Sequence, residues 1–203
     1  MNDLSVKNEN IMNYNQFMAL TRMLAQLELI HPISETLFTE IYKHAKFNAV
    51  ANNKHISSPL NVEKRIIYIE AGICQISKKV ESKQITIRLI DRGSFIAYEV
   101  MSNEPGYVKA IGPVEFISFP ASILERLAST DTSAKVILFT LMQRELTELK
   151  LSSITIAIKP TRRRLDYFRS TQPVFEESIP LKYIASYLGI TLETLIRIRK
   201  SPA

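Results

Sequence analysis

The sequence predicts an α+β chain in which helices flank a block of antiparallel strands, and three observations carry that reading. Apolar residues recur with a helical period between positions 12 and 46, with a period of two between 47 and 119, and with a helical period again from Ile123 onward. With 203 residues, 46% of them hydrophobic and 23% charged, the chain can bury a sizeable core. Its last segment, 178–200, has the spacing of two short helices joined at a glycine.

Residues 12–30 and 33–46 read as two helices. Phe17, Leu20, Leu24 and Leu27 share one face of the first, and Ser34 caps a second that carries Leu37, Ile41 and Tyr42. Both suit a lid over the neighbouring strands. Between 47 and 119 the alternating runs around Ile66, Tyr68 and Glu70, then Ile73, Gln75 and Ser77, then Ile85, Ile87 and Leu89 are separated by polar clusters at 81–83 and 103–106. That predicts six to eight short strands in a sandwich, a barrel or a jelly roll. Cys74, the single cysteine, lies in one of these runs and reads as a buried thiol.

Over 133–156, Phe139, Met142, Leu146, Leu149, Ser153 and Ile156 follow steps of three and four, the seam of a coiled coil. Val136, Ile137, Leu138 and Leu141 form a second apolar face. One face can pack on the strands, and a second copy of the chain is the economical cover for the seam. Pro160 stops or kinks this helix, and the run 161–164 opens another.

Several chemistries are excluded. No two of the five glycines are separated by one residue, so neither a dinucleotide fingerprint nor a phosphate-cradling loop can be written. His31, His44 and His55 lack metal-ligand spacing, and no metal site is expected. No uncharged stretch approaches the roughly 18 apolar residues of a membrane helix. The Asn-rich opening differs from a secretory leader, which predicts a cytoplasmic protein with no membrane partner.

Charge is distributed unevenly. The formal net charge is +6, and residues 159–203 hold nine positive and four negative side chains, so five of the six net charges lie there. A basic end of this kind is the footprint expected where a chain meets a polyanion, although a solvated basic face has the same composition. In 178–200, Pro180 suits a first helical turn, Gly189 a left-handed turn and Thr191 an N-cap. Ile184, Leu188, Ile190, Leu195 and Ile198 fall on the inward side of such a pair, and small Ala185 lies at the crossing. This is a helix-turn-helix pattern, whose second helix enters the major groove of DNA.

From about Leu29 to Lys200 the chain resembles the Crp/Fnr transcription regulators, most specifically in KYIASYLGIT and RIRK within 180–200. The resemblance implies lid helices, an eight-stranded cyclic-nucleotide-binding-type β-roll (a double-stranded β-helix or jelly roll), a long dimerisation helix and a DNA-reading end. It divides the chain into a sensory domain over 1–132, a dimerisation helix over 133–158 and a DNA-binding domain over 159–203. It implies a homodimer on a palindromic double-stranded operator, admits RNA polymerase as a further partner, and includes no catalysis.

In that family the recognition helix commonly presents an R-E-x-x-x-R set, which Glu193 and Arg197 match while Leu192 replaces the first arginine. Glu193 can accept from a cytosine amino group, Arg197 can fork onto guanine, and Leu192 can meet a thymine methyl, with Ile196 beside them. The sequence stops three residues after Lys200, where many relatives continue into a β-hairpin wing. Phosphate contacts are therefore expected from Thr191, Arg199, Lys200 and the arginines of 162–164, Arg162 and Arg163 first. Arg162 can equally pair with Asp166 at i+4.

The resemblance also implies a nucleotide pocket with a Gly-Glu pair on the ribose and an arginine on the cyclic phosphate. Here Gly93 is kept, the Gly-Glu step becomes Ala97 and Tyr98, and Glu99 is one place late. No arginine occurs from Gly93 to Glu125, and in the expected stretch, which includes Tyr107, Lys109 is the lone cation. A buried phosphate without a guanidinium lacks its pairing, so cAMP and cGMP binding are expected to be absent, with a shifted alignment on Glu99 and Lys109 left open. No four-cysteine set for an iron-sulfur cluster exists, and no motif marks His31, His44, His55 or Cys74 as a haem ligand. No cofactor is expected, and any other effector is unknown. Two rival readings are a sensing or protein-interaction module with a decayed DNA-binding end, and a cupin-like enzyme. The enzyme would need clustered ligands, and within the β region only His55 is available.

Overall fold

A computed structural model describes residues 13–57, 64–81, 83–97 and 107–200. Helix α1 (Tyr14–Glu28) starts at Asn13, whose side chain accepts from the Gln16 amide while Gln16 accepts from the Asn13 amide, a reciprocal cap. Helix α2 (Glu35–His44) starts at Ser34, whose hydroxyl accepts from Leu37 N at 3.1 Å. That hydroxyl also donates to Asp131, the N-cap of the long helix Thr132–Ala157, so α2 and the long helix share one capping cluster. Burial pushes the Asp131 pKa up, but hydrogen bonds from Ser133, Ser34 and the Ala134 amide outweigh it and hold the carboxyl below its usual value.

The described residues form six strands: β1 (Lys46–Val50), β2 (His55–Ser57), β3 (Arg65–Val80), β4 (Lys83–Ile90), β5 (Phe95–Ile96) and β6 (Tyr107–Pro120). All pairings are antiparallel. The main order is β1-β6-β3-β4, with β2 on β6 and β5 on β3. Six lies within the six to eight strands expected from the sequence, but the expectation that all are short is corrected, because β3 and β6 are long. They pair from Arg65 opposite Pro120 to Ser77 opposite Tyr107, and their register slips on either side of Ala71. Gly72 lies there at φ +90°, and a Cβ on it would come within 2.2 Å of the Pro113 carbonyl oxygen, so only glycine passes. The apparent break between two short runs is a bend in one strand.

The remaining helices are α3 (Ala121–Leu127), α4 (Thr132–Ala157), α5 (Thr161–Thr171), α6 (Pro173–Ser178), α7 (Leu181–Tyr187) and α8 (Leu192–Lys200). Three apolar cores hold these elements. The first joins α1, α2, α3 and the start of α4 to one side of the sheet through Ile66, Tyr68, Ile117 and Phe119. The second fills the roll with Ile67, Ile69, Cys74, Ile76, Val108 and Phe116, and burial there drives the Cys74 thiol up to about 12. The third joins Leu89 and Ile111 of the roll to Leu165, Phe168, Tyr187 and Leu195 of the C-terminal helices. None of the described helices is long and apolar enough to cross a membrane.

Candidate nucleic-acid interface

Helices α7 and α8 meet through Ile184, Ala185, Leu188 and Leu195, all buried, with Ile190 and Ile198 partly buried against them. Gly189 turns the chain at φ +65°, a conformation that few L side chains adopt. The Thr191 hydroxyl then accepts from Thr194 N at 3.2 Å and starts α8. Pro180 stands one place earlier than expected, as the residue capping α7.

On the outer side of α8, Leu192, Glu193, Ile196, Arg197 and Lys200 are exposed, and their spacing of three and four places Glu193, Arg197 and Lys200 on one face. Thr191 is also exposed. Hydrogen bonds from its own amide and from the Thr191 hydroxyl hold the Glu193 carboxyl below its usual value, so it stays an acceptor at neutral pH. Arg199 Nη2 stands 3.8 Å from Glu176, which chelates Arg169 Nε at 2.8 and 2.9 Å.

The three consecutive arginines of α5 divide their work. Arg164 Nη1 donates to the Leu188 carbonyl at 2.6 Å, and its Nε donates to the Ile158 carbonyl at 3.2 Å. Arg162 donates to the Ile198 carbonyl of α8 and lies 3.5 Å from Asp166. Arg163 alone of the three is exposed. Two of the residues that the sequence assigned to a phosphate-facing run thus hold backbone carbonyls at the ends of α7 and α8.

Along α4, Phe139 is 62%, Leu146 47% and Ile156 42% exposed, and Met142 is half-buried. Leu149 leans on the core inside the roll, so it sits at the margin of this stripe. Ile137, Leu141, Glu145, Ser152 and Thr155 form the buried face.

Four of the predicted effector residues are described, and two of them, Gly93 and Tyr107, line different clefts. Gly93, at φ +83°, donates its amide to Ile69 O and lines a cleft of about 530 Å³ with Arg88, Phe95, Arg144 and Glu148. Ala97 is buried. Tyr107 lies against the His55 ring at 5.4 Å in a separate cleft of about 240 Å³, and Lys109 pairs with His55 in register. Tyr98 and Glu99 lie outside the described residues. Sequence reasoning missed Arg88, Glu145 and Tyr187, and it placed Arg164 in the phosphate-facing run, since nothing local marks a side chain whose partner is far along the chain.

No protein-family model matches the sequence, and no curated protein matches it. Solved structures do. The fold resembles a Eubacterium rectale chain assigned to the Crp/Fnr family of transcriptional regulators, at TM-score 0.69 and 14% identity over 86% of this chain and 85% of that one. It is also similar to FixK2 from Bradyrhizobium japonicum, at 0.66 and 16% over 76% and 82%. A cyclic nucleotide-binding domain containing protein from Listeria monocytogenes matches at 0.64 and 14% over 89% and 88%. The chain has a Crp/Fnr-like fold, α+β with an antiparallel sheet and eight helices among the described residues.

Proposed function

We propose that the chain is a sequence-specific, DNA-binding transcription regulator that acts as a homodimer on a palindromic operator. The observation that carries this is the exposed face of α8, where Glu193 and Arg197 stand one turn apart on a helix whose opposite side is locked into a buried core. An acceptor and a forked donor at that spacing match cytosine and guanine edges in the major groove. Arg163 and Lys200 add phosphate-facing charge. The apolar stripe of Phe139, Met142, Leu146 and Ile156 supports pairing of two copies through α4. Two recognition helices related by a dyad would meet successive major grooves about 34 Å apart. The intact α7–α8 core argues against a decayed DNA-binding end.

Selection of bound fragments from random duplexes, followed by gel shift across a salt series, tests this reading. An inverted-repeat site whose affinity falls steeply with salt is expected; absent or salt-insensitive binding refutes it. The same regulator acts without cAMP, and micromolar cAMP is expected to leave its melting temperature unchanged. A saturable rise would overturn that part.

A further inference from the structure

The buried face of α4 carries a carboxylate where plain packing calls for an apolar side chain. Glu145 is 2% exposed. Its Oε2 accepts from Arg88 Nη1 at 2.7 Å, and its Oε1 accepts from the Ala97 amide at 2.8 Å. Arg88, on β4, is itself only 9% exposed, and Glu148 Oε2 stands 3.8 Å from its Nε. A guanidinium and a backbone N–H converging on the two oxygens of one anion form a donor set that suits a small carboxylate or phosphate. Ala97 is the residue that replaces glycine in the degenerate pocket read from the sequence. The guanidinium absent between Gly93 and Glu125 comes instead from the preceding strand.

We propose that Glu145 is the chain's own ligand in an anion seat formed by Arg88 and the Ala97 N–H, so that the roll is fastened to α4 without a small molecule. A tethered carboxylate loses little more than rotamer freedom on binding, whereas a free anion also loses translation and rotation, so the tethered one holds the seat against solutes. Further along the same face, the hydroxyl of buried Tyr187 on α7 faces Thr155 and Ser152 and accepts from Gln172 Nε2 at 2.9 Å. Helix α4 therefore grips the roll at Glu145 and the C-terminal helices at Ser152 and Thr155. That this fixes a DNA-reading geometry rests on the proposed function; the seat itself does not.

The test uses the full chain and acetate. Glu145→Ala takes from buried Arg88 its close partner and leaves it only Glu148, 3.8 Å from its Nε, so the melting temperature is expected to fall by about 10 °C. Sodium acetate, against chloride at matched ionic strength, should restore several degrees in a saturable way, with no such gain in the wild type or in the double variant Arg88→Met/Glu145→Leu. A folded Glu145→Ala variant that ignores both acetate and formate overturns the proposal, as does an equal response in the wild type. Should Glu145→Ala fail to fold, hydrogen exchange at the wild-type Ala97 amide decides. Protection matching the neighbouring Ile96 amide is expected, and exchange at an open-loop rate refutes the seat. None of these readouts involves DNA, so loss of the seat and loss of the DNA reading are told apart.

Discussion

Replacing Arg164 and Arg163 separately by alanine should give opposite phenotypes, although the two are adjacent in the chain. Arg164 makes two charge-assisted hydrogen bonds to carbonyls, at 2.6 Å to Leu188 and 3.2 Å to Ile158. Hydrogen bonds of this kind contribute about 1.5–3 kcal/mol each when buried. Discounted for a guanidinium that is only partly buried, the pair amounts to about 2–3 kcal/mol, or about 4–10 °C in melting temperature for a chain of this size. The Leu188 carbonyl belongs to the turn at Gly189, so the loss falls on the α7–α8 pair first. Arg163 is exposed, and Arg163→Ala should change stability by no more than about 0.5 kcal/mol. In a duplex-binding assay it should instead lower the salt slope by about one. Calorimetry on both variants, with fluorescence anisotropy across a salt series, separates them. A melting temperature for Arg164→Ala within a degree of the wild type would refute the assignment of that side chain to the turn.

Arg197→Ala should weaken binding to a selected operator about 10- to 100-fold by gel shift, and undiminished affinity would remove Arg197 from the base-reading face of α8. Leu146→Glu on the exposed stripe of α4 should shift sedimentation toward the monomer, and an unchanged oligomeric state would remove α4 as the pairing surface. Asp131 has a depressed pKa, so its stabilising contribution is present above the unfolded-state value of about 3.9 and is lost as pH falls through the lower folded-state value. Asp131→Ala should therefore cost about 1 kcal/mol at pH 7, and the deficit relative to wild type should shrink as pH drops below about 4. A deficit that stays constant down to pH 2 would contradict this sign.

What the sequence made legible was local. The turn at Gly189, the cap at Thr191 and the inward spacing of Ile184, Leu188 and Leu195 are each decided within a few residues, and the structure places them as that spacing requires. The two ends of β3 could not be joined by reading, because the reason for glycine at 72 is the Pro113 carbonyl, forty-one positions later. The arginines of 162–164 looked like a surface run because the acceptors of Arg164 and Arg162, Leu188 and Ile198, lie 24 and 36 residues downstream. Arg88 and Glu145 are 57 residues apart, and each alone reads as one more solvated charge. A pattern that scans a window for its own arginine cannot register one supplied by a neighbouring strand.

The apolar cluster uniting Leu89 and Ile111 with Phe168, Tyr187 and Leu195 limits how the chain can be taken apart. Amide to hydroxyl, Thr86 N on β4 donates to Ser186 Oγ of α7 at 3.1 Å, so the border is stitched by polar atoms as well. The final helices are consequently no portable cassette. Cut out and fused to a foreign carrier, they would expose an oily flank that β4 normally shelters, and grafts intended to keep their shape would have to bring that strand along.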